Sequence, residues 1–213
     1  EALTNYLALL GWSPGGDVEF FSKEQMAQSF LLERVNPNPA RFDVKKCTAI
    51  NGDWIRHLAI DDLVERLVPY LQRDGVIGST PSAEDMNLVR AVVPLISERL
   101  ETLGQASAMV GFLFTDDIAI DAGDAEKIMG DQADDVLREA EAALAGLDEW
   151  TTEAIDRALR VTLIEERGLK PKVAFGPVRL AITGRRVSPP LFESMELLGA
   201  DRSLSRIRSL HAS

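Results

Sequence analysis

Cysteine, histidine and aromatic residues are scarce in this chain of 213 residues, which holds one Cys, two His and 6% Phe, Trp and Tyr together. A lone Cys47 excludes an internal disulfide and fits a reducing compartment. His57 and His211 stand far apart in the sequence. Without the Cys or paired-His spacing of a zinc site they read as surface or packing residues, and no metal is expected. No apolar run approaches the roughly 20 residues needed to cross a bilayer, so no membrane partner is expected and the cytoplasm is the expected compartment. A phosphate-cradling loop is missing too, because Gly15-Gly16 lacks the further glycine and the preceding strand. Strand patterns are nearly absent, since Val76-Ile77 and Phe112–Phe114 are too short to carry a sheet. No repeat of roughly 20 to 50 residues recurs, which leaves a solenoid unsupported.

What is abundant is acid. Lys and Arg number 23 against 34 Asp and Glu, a formal charge of −11, which ordinarily argues against a nucleic-acid partner. The charge is unevenly placed. Between Asp116 and Glu149 stand 12 acidic and two basic residues, whereas Leu169 to Ser213 holds eight basic and three acidic ones. Such asymmetry suggests a polyanion on one face and repulsion from another. Asp116-Asp117 and Asp134-Asp135 lack the spacing of a calcium loop and read as a solvated acidic face.

The remaining pattern is helical. Leu3, Tyr6, Leu7 and Leu10 share one face of a first helix, and Ser22 with Gln25 forms a capping box. Asp43 is placed to cap a short helix ending at Asn51-Gly52. Asp61 opens a helix closed by Arg73-Asp74-Gly75. Ser82 with Asp85 starts a longer run through Val89, Ile96 and Leu103, which Pro94 should kink or split. Two helices around Val136–Leu144 and Ile155–Leu163 follow.

The richest segment is Ile182–Gly199, ITGRRVSPPLFESMELLG. Gly184 suits the left-handed residue that ends a helix, which puts Arg185 and Arg186 at its exit. Ser188 can cap the next helix, with Pro189 and Pro190 in its first turn. Two helices thus meet at a corner displaying Arg179, Arg185 and Arg186. One reading is a solvated turn between core helices. The other is a site for phosphate or base edges, which guanidinium groups and helix N-termini both favour.

This segment is similar to the C-terminal end of bacterial glutamyl-tRNA synthetases, class I aminoacyl-tRNA synthetases. Leu3–Ser13 (LTNYLALLGWS) resembles the segment after that family's catalytic signature loop, and Asn38–Asp43 (NPARFD) and Ile50–Arg56 (INGDWIR) resemble its stem-contact region. The stretches stand in the family's order. The acidic stretch 116 to 149 departs from it.

The resemblance implies a mainly α fold: the end of a stem-contact domain at residues 1–66, then an all-helical anticodon-binding region at 67–213, with a subdivision near 116–130. The family's two ATP-binding signatures do not occur, so the chain reads as a fragment with no catalytic residues and no cofactor of its own. The full-length protein would attach glutamate to tRNA(Glu) using ATP and Mg²⁺; whether tRNA(Gln) is also a partner stays open. A monomer is expected, and no DNA partner. By resemblance Arg179, Ser188, Pro189 and Leu191 line the anticodon pocket, with Leu191 supporting an unstacked base. Arg99 either reads the third anticodon base or forms a surface ion pair. Lys45, Lys46, Arg56, Arg185 and Arg186 either touch the tRNA backbone or face solvent. The competing function is a helical protein-interaction module that docks through its acidic face.

Overall fold

Local signals start and stop most of the helices. A computed structural model describes residues 1–211, and among these there are twelve α-helices and no strand. The chain is mainly α, as expected.

Helix α1 (Ala2–Gly11) packs on α3 (Val44–Arg56), and between them α2 (Lys23–Ser29) begins with the Ser22–Gln25 capping box. Ala2, Tyr6 and Ile50 form a small core, joined by Leu9, Leu10 and Trp54. The buried side of α1 is therefore Ala2, Asn5 and Tyr6, while Leu3 and Leu7 are exposed. A buried amide rotates the helix away from its leucines. The Asn5 amide nitrogen donates to the Glu19 carbonyl at 3.0 Å, and its oxygen accepts from Trp54 Nε1 at 3.1 Å. The Tyr6 hydroxyl accepts the Asp43 backbone N–H at 2.5 Å, and Asp43 caps α3 through the amides of Lys45 and Lys46.

Helix α3 does not stop at Asn51-Gly52 but continues to Arg56. Gly52 serves close approach instead: a Cβ there would lie 3.4 Å from the Leu100 carbonyl oxygen. The Asn51 side chain donates to the Glu101 carbonyl at 2.6 Å, which fixes the 97–101 segment on α3.

From Ile55 onward one continuous core extends to Ile207. It is built from α4 (Ile60–Arg73), α5 (Ala83–Ile96), α6 (Ala106–Val110), α7 (Ala122–Ile128), α8 (Ala133–Ala145), α9 (Thr152–Leu159), α10 (Pro171–Thr183), α11 (Leu191–Leu198) and α12 (Ala200–His211). The run containing Pro94 ends at Ile96 in a tight turn, Ser97–Arg99. Phe112–Phe114 is a tight helical turn, and α9 continues into a π-helical segment, Arg160–Glu166.

Part of the charge asymmetry is paired within the fold. Arg202 pairs with Asp116, Arg186 with Asp124, and Arg208 with Glu141. These three pairs dock the acidic stretch on the basic C-terminal segment and leave most of its 12 acidic residues outside them. Arg206 has another task. It is 7% exposed and donates to the carbonyls of Ile182 at 2.7 Å, Phe112 at 2.8 Å and Thr115 at 2.6 Å. Burial, with Arg202 nearby, pushes its pKa down to about 10.

Glu141 accepts from His211 at 2.8 Å and from Arg208 at 2.8 Å, joining α8 to α12. The His211 and Arg208 bonds hold its carboxyl below the usual range. A depressed carboxyl contributes stability above its unfolded value of about 4.3 and loses it as pH falls through the folded value. Glu141→Gln should therefore lower the melting temperature at neutral pH and make the fall between about pH 5 and pH 3 shallower. Equal falls in wild type and variant would take Glu141 out of the acid response.

Candidate nucleic-acid interface

The corner after α10 is built by backbone constraints before any side chain reaches it. Gly184 ends the helix with φ 74°, and a Cβ there would collide with the Ala119 carbonyl oxygen. The segment before α7 is strapped over this residue, with the Asp121 N–H donating to the Gly184 carbonyl at 2.9 Å. Thr183 donates its hydroxyl to the Arg179 carbonyl at 2.8 Å, closing the last turn.

Ser188 is not the cap of α11. That helix begins at Leu191, with Pro190 extended at its edge (ψ 133°). A proline disfavours helical geometry in the residue before it, so the Pro189-Pro190 pair delays the start. Ser188 is 5% exposed and becomes the meeting point of two distant arginines. Arg179 Nη1 donates to its hydroxyl at 2.6 Å and to the Pro189 carbonyl at 2.9 Å. Arg99 Nη1 donates to the Ser188 carbonyl at 2.5 Å, across 89 residues of sequence. This replaces the surface ion-pair reading of Arg99. Burial lowers the pKa of Arg179 from its usual value, and the Arg99 charge adds to the shift.

The structure thus brings Arg99, Arg179, Ser188, Pro189 and Leu191 to one corner. Leu191, however, is 3% exposed and belongs to the core. Its side chain supports the corner from beneath rather than offering a surface to a base. Arg185 is exposed. Arg186 is held by Asp124, which accepts its backbone N–H at 2.8 Å and lies 3.6 Å from its Nε.

The other basic candidates lie on α3, which packs on the Ser97–Arg99 turn that carries Arg99. Lys45 is exposed, Lys46 pairs with Glu19 at 2.5 Å, and Arg56 pairs with Asp53 at 2.6 Å. His57 stacks on Phe20 with ring centroids 4.2 Å apart, as a packing histidine would.

Three aromatic-cluster residues and one acid were not singled out in the sequence. An open cleft of about 1020 Å³ lies between α7 and α10, with Phe175 and Arg179 in its wall. Phe175 meets Phe192 edge to face at 5.4 Å, and the Arg160 guanidinium lies 5.6 Å from the Phe175 ring centre. The fourth is Asp124. Only Phe175 left a trace in sequence, standing four residues before Arg179 and hence on the same helix face.

The family model described as "Anticodon binding domain" matches residues 62–210, and the chain belongs to that family. Its relatives are particular enzymes: it is 52% identical to a glutamate–tRNA ligase of Saccharopolyspora erythraea over 98% of this chain and 42% of that protein. It is 50% identical to one from a Nocardioides species, over 98% of this chain and 43% of that protein. The chain therefore spans less than half the length of these relatives. Its fold matches a crystal structure of a glutamate tRNA ligase from Elizabethkingia meningosepticum in complex with its amino acid, with TM-score 0.84, 23% identity, and coverage of 100% of this chain and 41% of the other.

Gly184→Ala tests the corner's construction. A left-handed alanine costs roughly 1–2 kcal/mol by itself, and the Ala119 carbonyl must also shift, so a loss of about 2 kcal/mol or more is expected in urea unfolding. A loss below about 0.5 kcal/mol would mean that the strap yields freely.

Proposed function

We propose that this chain is the tRNA-recognising part of a glutamate–tRNA ligase, and that the Ser188 corner reads anticodon bases of tRNA(Glu). The supporting observation is the convergence of Arg99 and Arg179 on Ser188. Each arginine spends Nη1 on the corner. Their other guanidinium N–H groups have no partner among the described residues and can donate to base edges. A base-edge contact specifies, whereas a phosphate contact only positions. Unstacked loop bases are the usual target of sequence-specific RNA recognition.

In this reading Lys45 and Arg185 meet backbone phosphates, and Lys46, Arg56 and Arg186 do so after leaving their present carboxylates. A division near residue 66 is part of this reading; the small core of Ala2, Tyr6 and Ile50 lies before it, and the large core takes over from Ile55. ATP and Mg²⁺ belong to the amino-acid-activating part of the full-length ligase, and no residue of this chain is assigned to either. The protein works as a cytoplasmic monomer; no helix among the described residues is long and apolar enough to cross a membrane. No observation favours docking of a protein partner on the acidic stretch, three of whose carboxylates, Asp116, Asp124 and Glu141, pair within the chain.

Arg179→Ala should weaken binding of the cognate anticodon stem-loop by about 1–3 kcal/mol, the usual worth of a good base contact. Arg99→Gln should narrow the affinity ratio between stem-loops that differ only at the third anticodon base. Lys45→Ala should instead weaken cognate and non-cognate tRNA alike, with a shallower salt slope. Unchanged affinity ratios in both arginine variants would remove base reading from this corner.

A further inference from the structure

The cleft beside the corner carries a stripe that the anticodon reading has not used. Lys172, Phe175 and Arg179 follow one another at spacings of three and four along α10, which puts them on one helix face. All three line the cleft. Its charged lining holds Lys127, Lys172, Arg179 and Arg186 against Glu126 and Asp131, a cationic balance. An aromatic ring flanked by cations in an open groove is the surface on which proteins stack single-stranded bases while holding the neighbouring phosphates.

Phe175 is also held unusually well. Phe192 meets it edge to face at 90°, and Arg160 stands 5.6 Å from its ring centre and 5.9 Å from that of Phe192. Arg160 is in turn fixed by Asp156, which accepts from its Nε at 2.5 Å. Arg160 opens the π-helical segment 160–166, a geometry that is rare in helices and frequent at functional sites. Of the three, only Phe175 lines the cleft. Arg160 and Phe192 pack on the ring, and Phe175 lines the groove.

We propose that the cleft takes a nucleobase of the anticodon loop, stacked on Phe175 between Lys172 and Arg179, with Arg160 and Phe192 as positioning residues. The inference rests on the anticodon reading of the Ser188 corner, and adds to it a neighbouring base held by its face rather than by its edge. Such a contact tolerates any base, so it contributes affinity without changing which tRNA is preferred.

The test couples protein and RNA changes. Affinities of the 213-residue chain are measured for anticodon stem-loops carrying an abasic site at each loop position in turn. Phe175→Leu should weaken binding of the intact stem-loop by roughly tenfold, and Phe175→Trp should restore it. One abasic position should weaken wild type by a similar factor and cost Phe175→Leu nothing further. Arg160→Gln should give a smaller loss at that same position. A wild-type chain that tolerates abasic sites everywhere, or losses that simply multiply at every position, would overturn the stacking site; the first result stands even if Phe175→Leu fails to fold. Arg99→Gln, which touches the corner and not the cleft, separates the two ideas in the same assay. If it still narrows the affinity ratio at the third anticodon base, only the stacking site falls, and if it does not, the corner falls with it.

Discussion

The corner hangs on Arg206. Two chain segments, one carrying Phe112 and Thr115 and the other Ile182, direct three carbonyl oxygens to one spot, and one guanidinium from α12 answers all three. Arginine alone fits this role, since it offers five N–H donors in a fixed plane and accepts nothing. The charge is not cancelled by a buried carboxylate, and burial depresses its pKa accordingly. The cost of burying it is offset by the three hydrogen bonds it donates to these carbonyls. Arg202 reinforces the tie by donating to the Leu113 carbonyl at 3.0 Å. Because Ile182 lies near the end of α10, the tie fixes where that helix stops, and Arg179, Gly184 and Ser188 follow from there.

Much of the fold was legible because helix ends are local. The Ser22 and Ser82 capping boxes, the Asp43 cap and the left-handed Gly184 each depend on a few adjacent residues. Apart from the Ser188 cap, which its neighbouring prolines displace, the misreadings depend on distant partners. Leu3 and Leu7 looked like a core face until a buried Asn5 claimed that side for its bonds to residues 19 and 54. Gly52 looked like a stop, and is instead a place where another segment comes close.

The candidate site divides in the same way. Arg179, Ser188, Pro189 and Arg99 were named from resemblance, yet only the folded chain shows that the two arginines share a serine. Leu191 was named for a surface role and lies in the core. Charge was the least legible property. A surplus of acid in one stretch and of base in another reads as two faces, but in three dimensions the two stretches pair, as Asp124 does with Arg186. Spacing along the chain carries no information on which charges meet.

The two prolines after Ser188 have a consequence for timing. With φ fixed in both and Ser188 and Pro189 buried, the carbonyls that receive Arg99 and Arg179 are already in place before any ligand arrives. Ordering entropy is then spent during folding instead of during association. A preorganised surface of this kind sorts its ligands by how long they stay, because encounter rates differ little among similar partners while dissociation rates differ widely. Under the proposed anticodon reading, the corner would act through residence time: a mismatched loop would arrive as often as a matched one and leave sooner.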